Sequence, residues 1–248
     1  GSTNLESGDP SKLIETFPAD TVFAFGSGDV GANATKIIDA LDQEGIQGVL
    51  KPGDLGKMMK QLSQQGLDVK SLIGDLQTVG LFVSGDSPGN LGGALVATSS
   101  DIKPIESSLK TLSTLIAFGD SADVKPLGGG MTGLRVRLAD LPGRPIVVAV
   151  GGDRLVIAVG MPAARQALKG NGEPLSDSPA YQAAVESLPG DGIDMFGDPS
   201  ALAGLISGFT AGDPGASKAT EALGKFEYLA GGSGEGDNSF EINLGLKD

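Results

Sequence analysis

The spacing of apolar residues predicts several amphipathic helices. In four segments apolar residues recur at i, i+3, i+4 and i+7, which places them on one helical face; the segments are residues 34–41, 55–62, 69–76 and 202–209. Residues that suit a first helical turn precede them, because Asn and Asp accept backbone N–H bonds and Pro fits the first position; these are Asn33, Asp54, Asp68, Asp198 and Pro199. Two further amphipathic helices are predicted over residues 102–116 and 179–188.

Alternating and continuous apolar runs predict the strands. Phe240, Ile242, Leu244 and Leu246 alternate with polar residues or glycine, which indicates a strand with one solvated face. Leu134, Val136 and Leu138 alternate with Arg135 and Arg137 in the same way. The runs PIVVAV and RLVIAV flank Gly151-Gly152-Asp153, which predicts a hairpin in a sheet covered on both faces. The expected fold class is α+β, with a mainly antiparallel or mixed sheet packed by amphipathic helices.

Two internal similarities suggest a duplicated strand-helix-strand-strand unit. Residues 17–26 match residues 188–197 at an offset of 171. Residues 80–101 match residues 227–248 at an offset of 147, and each of these two segments is predicted to form a hairpin. We therefore expect repeat-like units at 17–101 and 188–248, with residues 102–187 inserted between them, in one domain over 17–248. Chance similarity is the alternative, since four identities in ten are few.

Residues 1–16 are expected to lie outside that domain. The chain opens with Gly1-Ser2, which is typical of a protease scar on a cloned fragment, and continues with the polar, turn-rich TNLESGDPSK. This segment predicts a tether ahead of the domain. The sequence contains neither a signal peptide nor an apolar stretch long enough for a membrane span, so a native leader or anchor is expected to have been removed.

Composition removes many kinds of active site. The 248 residues include no His, Cys or Trp, which excludes Ser-His-Asp triads, thiol nucleophiles, iron–sulfur clusters and disulfides. The formal net charge is −13, without any basic run, which argues against nucleic acid or an anionic membrane surface as a partner. We expect no catalytic residue, no cofactor and no metal.

The sharpest motif is a GxGxxG at Gly26, Gly28 and Gly31, between the strand TVFAF and the predicted helix at 34–41. Such glycines can let a backbone approach a dinucleotide pyrophosphate. However, Asp29 would place a carboxylate beside the phosphates, and a chain with 40 glycines produces such matches by chance. A plain turn with a helix cap is the favoured interpretation.

Three weaker patterns have ordinary explanations. Residues 85–89 satisfy GxSxG, but Pro88 follows the serine and no histidine exists, which favours a hairpin loop. Ser107 and Lys110 form SxxK without its companion motifs, as on a solvated helix face. Acidic loops around Asp86 and Asn90, and around Glu235, Asp237 and Asn238, could hold calcium but lack the DxDxDG spacing.

Carboxylate pairs for glycoside hydrolysis remain open, because their separation depends on the fold. Only 4% of the residues are aromatic and none is Trp, so the usual sugar-stacking platform is missing. The phenylalanines are expected to pack in the core, with ligand lining as the alternative; they include Phe23, Phe25, Phe82, Phe118, Phe196 and Phe209.

Three features together resemble a known bacterial family. They are the run Phe17-Pro18-Ala19-Asp20-Thr21 entering a strand, the segment from Ser178-Pro179-Ala180-Tyr181 to Leu188-Pro189, and the closing hairpin. The chain is similar over most of its length to the domain of unknown function family 3352, which is mainly actinobacterial. That resemblance implies a secreted or membrane-anchored location and transfers no activity and no site residue.

These observations lead to three functional hypotheses. The first is a non-catalytic, extracytoplasmic domain of a bacterial envelope protein that binds or senses a partner, reaching the membrane only through an N-terminal anchor. The second is a carrier of an apolar or lipid ligand, held in a cavity between helices and sheet. The third is an enzyme using Asp, Glu, Lys or Ser, or a nucleotide binder at Gly26, Gly28 and Gly31.

Overall fold

The computed structural model describes residues 8–31, 56, 57, 60, 63, 74–85, 87, 89–117, 124–127, 131–137, 144–170, 172–188, 192–210, 214–233 and 240–247. The strands among them are β1 Thr21–Gly28, β2 Leu76–Ser84, β3 Gly92–Ser99, β4 Val124–Pro126, β5 Thr132–Val136, β6 Ile146–Gly151, β7 Arg154–Val159, β8 Met195–Gly197, β9 Phe226–Ser233 and β10 Phe240–Leu246. The helices delimited within this part of the chain are α1 Pro10–Glu15, α2 Lys103–Ala117, α3 Met161–Lys169, α4 Pro179–Ser187, α5 Pro199–Phe209 and α6 Pro214–Leu223, with a 3-10 turn at Leu175–Asp177.

All ten described strands belong to one sheet. Their order is β10-β9-β8-β1-β2-β3-β7-β6-β5-β4, and each neighbouring pair is antiparallel. This confirms the predicted α+β class with a mainly antiparallel sheet. The β6–β7 hairpin forms as predicted, and its turn needs Gly152 because the backbone there adopts a φ of 64°.

One face of the sheet is buried under helices α1, α3 and α4. Its central row carries non-polar side chains from neighbouring strands, from alanine to phenylalanine, each no more than 3% exposed: Ala230, Phe196, Ala24, Phe82, Ala94, Ala158 and Val147. Leu13 and Ile14 of α1, Ala163 and Ala164 of α3, and Tyr181 of α4 join the same core cluster. We call this the helix-covered face.

Helix α2 packs on the opposite face, at one end of the sheet. Its Ile105 and Leu109 form a second cluster with Val150 of β6, flanked by Val148 and Leu155. The helix lies where residues 102–116 were predicted to be helical. Helices α4 and α5 also form where expected, and Asp198 caps α5 by accepting hydrogen bonds from the Ser200 and Ala201 amides.

Part of the segment predicted to be a polar tether is a core element instead. Asp9 caps α1 through the Ser11 amide, Pro10 occupies the first turn, and Leu13 and Ile14 are fully buried. The chain then continues through Phe17, whose ring centroid lies 5.0 Å from that of Phe82. Residues 10–16 therefore belong to the domain, and the Asp9-Pro10 pair was the signal for a helix start.

Several predictions fall outside the described residues or need correction. The predicted helix at 34–41 and the caps Asn33, Asp54 and Asp68 lie outside them, and within 55–62 only residues 56, 57 and 60 are described, as helical. Leu76, the last residue of the predicted helix 69–76, opens strand β2 instead. Helices α3 and α6 were not predicted. Helix α3 begins after Gly160, which supplies no capping side chain, whereas the pair Asp213-Pro214 at the start of α6 was an available signal.

Two predictions about strand faces were wrong. The β6–β7 hairpin is not covered on both faces along its length, since Ile157 and Val159 of β7 are 42% and 36% exposed. In β10 the apolar row is the exposed one, with Ile242 at 58% and Leu244 at 56%. The reason is that α4 packs on the other face, where the Asn243 side chain donates to the Ser187 carbonyl.

The internal similarities map onto adjacent strands, but not side chain by side chain. Strands β1 and β8 pair at the centre of the sheet, and the hairpins β2–β3 and β9–β10 flank them. The offset of 171 equates Phe25 with Phe196, yet Phe196 pairs with Ala24 and is buried like it, whereas Phe25 is 42% exposed on the other face.

Arg154 is predicted to stabilise the helix-covered face by linking three elements. From β7 it donates to the Ala167 carbonyl near the end of α3 and to the Thr16 hydroxyl after α1, both at 3.0 Å. Arg154→Met leaves these acceptors without a charged donor, so we expect the free energy of unfolding to fall by about 2–3 kcal/mol. Urea denaturation measures the free energy of unfolding of this variant. The control is Arg165→Met, at an exposed position of α3. An equally small loss of stability in both variants would contradict the prediction.

Candidate functional site

The sheet face opposite α1, α3 and α4 carries two uninterrupted rows of non-polar residues. The register aligns Ile242, Gly231, Met195, Phe25, Leu81, Leu95, Ile157, Val148 and Leu134 in the first row. The second row aligns Leu244, Leu229, Gly197, Phe23, Val83, Gly93, Val159, Ile146 and Val136. Directly paired residues share a face, so no polar side chain interrupts either row.

We call the part of this surface on strands β10 to β7 the open face. Its exposed members are Ile242, Leu244, Phe25, Leu81, Leu95, Ile157 and Val159, each between 36% and 58% exposed. Toward β6 and β5 the same rows are covered by α2, and Leu134 is only 3% exposed. Seven strands at their usual spacing make the open face about 29 Å wide. The exposed members lie on β10, β1, β2, β3 and β7, whereas the members on β8 and β9 between them are buried or half-buried. An exposed apolar surface of this kind is typical of an interaction site.

A cleft of 530 Å³ joins the open face at Val159. It lies between the β2–β3 hairpin loop and the start of α3, and its lining includes both apolar and polar groups. The polar ones are Asp20, Ser84, Asn90, Arg144 and Gln166. Arg144 reaches across the cleft and donates to the Gly89 carbonyl at 2.6 Å and to the Leu91 carbonyl. The cleft therefore gives the open face a polar end.

The GxGxxG glycines lie against the protein's own backbone. Gly26 and Gly28 are inside strand β1, and the Gly26 amide donates to the Asp194 carbonyl. A Cβ on Gly28 would lie 2.1 Å from the Gly8 carbonyl oxygen, and one on Gly31 would lie 2.4 Å from that of Gly74. These close approaches account for small residues at both positions without a bound phosphate.

The other catalytic-looking motifs have structural partners. The Ser87 hydroxyl and amide both donate to the Asn90 side-chain oxygen, within the hairpin loop that the sequence favoured. Lys110 of the SxxK motif lies on α2, where its ammonium pairs with the carboxylate of Glu106, one helical turn earlier, at 2.7 Å. Of the proposed calcium loops, Asp86, Glu235, Asp237 and Asn238 lie outside the described residues.

Asp9, which caps α1, interacts electrostatically with Glu15 at the end of that helix and with Asp194, and we call these three residues the carboxylate cluster. Burial and the charge of Asp9 raise the pKa of Glu15, which Lys12 opposes, and burial and Asp9 likewise raise the pKa of Asp194. Burial also raises the pKa of Tyr181, with Glu15 and Asp9 contributing. Across the described ranges no three ligating side chains are grouped so that they could hold a metal. The negative charge of Asp9 thus disfavours ionisation of Glu15 and of Asp194.

The phenylalanines divide between core and surface. Phe82 and Phe196 are buried as predicted, whereas Phe25 and Phe209 are 42% and 62% exposed, so the core prediction was wrong for them. Phe118 lies outside the described residues. The sequence analysis did not single out Leu81, Leu95 or Met195, because apolar residues on both faces of a strand are typical of a fully covered sheet.

Comparison with known proteins leaves the family resemblance a prediction. No family model, no curated protein and no solved structure matches the chain. In the described portion of the chain, none of the helices has the length and apolar character needed to span a membrane.

The carboxylate cluster predicts a pH-dependent stability. The pKa of Asp194 is higher in the folded state than in the unfolded state, so protonation of its carboxyl group favours the folded state. This contribution to the free energy of unfolding is fully present below about pH 3.9 and is lost as the pH rises through the folded-state pKa. Asp194→Asn should therefore raise the melting temperature at pH 7, and the gain should shrink toward pH 4. Thermal melts at both pH values measure this, with the exposed Glu186→Gln of α4 as control. A gain that is equal at both pH values would contradict this cause.

Proposed function

We propose that the chain is a non-catalytic domain that binds the acyl chain of a lipid or similar amphiphile on its open face. The observation that carries this proposal is the pair of non-polar rows running across the sheet, whose members on β10, β1, β2, β3 and β7 include seven exposed apolar side chains. An acyl chain gains roughly 0.8 kcal/mol for each methylene removed from water, without needing a polar partner.

The adjoining cleft supports an amphiphile over a purely apolar ligand. Val159 belongs both to the second row and to the cleft lining, so a chain lying on the sheet can continue into a polar head group there. Asn90, Arg144 and Gln166 supply donors and acceptors at that end. The acidic Asp20 and the basic Arg144 both line the cleft, so its lining does not select a head group of one charge.

An extracytoplasmic position in a bacterial envelope, secreted or anchored at the N-terminus, is part of the proposal. Its support is the family resemblance carried by Phe17–Thr21 and by the segment 178–189. A lipid ligand is available at such a location. Recognition of an envelope protein is the second candidate function, and it would use the same exposed apolar surface.

We also infer that the six strands from the β10 edge to β3 arose by duplication of a strand-helix-strand-strand unit. The order β10-β9-β8-β1-β2-β3 supports this, since each unit would contribute one central strand and one flanking hairpin. The one-residue difference in face between Phe25 and Phe196 then requires an insertion or deletion near β1, where the register shifts between Thr21 and Phe23.

Palmitic acid binding tests the proposed function. Native mass spectrometry and a fluorescent fatty-acid displacement assay on the purified full chain should detect a complex. Leu81→Gln places a polar group between Phe25 and Leu95, so we expect affinity to fall about tenfold or more.

Val185→Gln is the matched control. Val185 is 41% exposed, like Leu81 at 40%, but it lies on α4. The control should bind palmitic acid like the unaltered chain. Failure of the unaltered chain to bind it, or an equal loss of affinity in both variants, would contradict the proposal.

A further inference from the structure

The two edges of the described sheet differ in how they are protected. Strand β4 is three residues long and carries Lys125 and Pro126, and short strands, lysine and proline all discourage pairing with another chain. Strand β10 has seven residues, FEINLGL, without proline and with Glu241 as its only charge. In the described part of the sheet nothing pairs with its outer edge.

The backbone of β10 presents hydrogen-bonding groups outward at its apolar positions. The Lys247 amide donates to the Lys225 carbonyl at the start of β9, so Lys247 directs its backbone groups inward. Since these groups alternate in direction along a strand, those of Leu246, Leu244 and Ile242 point away from β9. The same three side chains are 68%, 56% and 58% exposed.

The strand is complementary to a second copy of itself. When two antiparallel copies of β10 are centred on Leu244, Ile242 faces Leu246, Asn243 faces Gly245, and Glu241 faces Lys247. The Ile242–Leu246 pairing is apolar and the Glu241–Lys247 pairing joins opposite charges, and both kinds stabilise antiparallel strands, while Asn243 and Gly245 bring no like charges together. Because Glu241 of each copy faces Lys247 of the other at both ends of the paired strands, the charge pattern favours a second copy of this strand. The Lys247 ammonium donates to the Ser200 hydroxyl of its own chain at 2.6 Å and has further donors for a carboxylate.

From these observations we infer that two copies of this chain associate by antiparallel pairing of their β10 strands, centred on Leu244, into a continuous twenty-strand sheet. The two-fold axis is perpendicular to the sheet, so the open faces of both copies lie on the same side. This inference does not depend on lipid binding.

Sedimentation of the full chain tests the association. The unaltered chain should sediment at twice its monomer mass at the highest soluble concentration. Leu244→Pro removes an outward N–H that makes no bond to β9, so the variant should be monomeric, whereas Leu244→Val keeps the N–H and should dimerise. Circular dichroism checks that both variants are folded. A monomeric unaltered chain, or a dimeric folded Leu244→Pro variant, would overturn the inference.

Cysteine cross-linking tests the register in a protein that is otherwise unaltered. Because the chain contains no cysteine, each single substitution is unique. Across the proposed axis the two copies of residue 244 have Cα atoms about 5.5 Å apart, within disulfide range. Leu244→Cys should therefore give an oxidised dimer.

Ile242→Cys is the matched control, on the same row with similar exposure. In the proposed register its two copies lie more than about 13 Å apart along the strands, so it should cross-link at least tenfold more slowly. Equal cross-linking at both positions, or a dimer that cross-links at neither, would overturn the inference.

Discussion

The described architecture depends on the alternation of side chains between the two faces of the central strands, which places three alanines and two phenylalanines of one row on the helix-covered face. Ala24, Ala94 and Ala158 all point toward α1, α3 and α4, so these helices approach the backbone closely. Because neighbouring residues of a strand face opposite ways, the bulkier Phe25 and Leu95 are directed to the other side. Close helix packing on one face and a raised apolar surface on the other are thus two results of one alternation.

The sequence predicted which helices and strands form more successfully than it predicted which of their faces are buried. Local signals are sufficient for α5, where Asp198 caps the helix and Pro199 begins it, and for the hairpin turn at Gly152. Burial depends on which element packs where, and this is not encoded locally. The alternation in β10 identified the strand correctly, but only the position of α4 determines that Asn243 faces the protein and Ile242 faces outward.

The candidate site could be predicted only in part, for the same reason. Leu81 and Ile157 occur in apolar runs that a fully covered strand would also have, so the sequence could not distinguish exposed from buried members. Motif searches drew attention to Gly26, Gly28 and Gly31, whose small size is explained by neighbouring backbone at Gly8 and Gly74. A glycine pattern indicates that some group lies close to the glycine backbone, but that group can be another part of the same chain and need not be a ligand.

The short edge strand β4 has a consequence for the size of any assembly. Two copies joined through β10 would each retain only β4, with Lys125 and Pro126, as a remaining sheet edge. An isologous contact consumes the pairing surface of both partners, whereas a second receptive edge would permit open-ended growth into a fibre. In such a dimer the three residues of β4 would offer little backbone for further strand pairing, so the assembly would end at two copies.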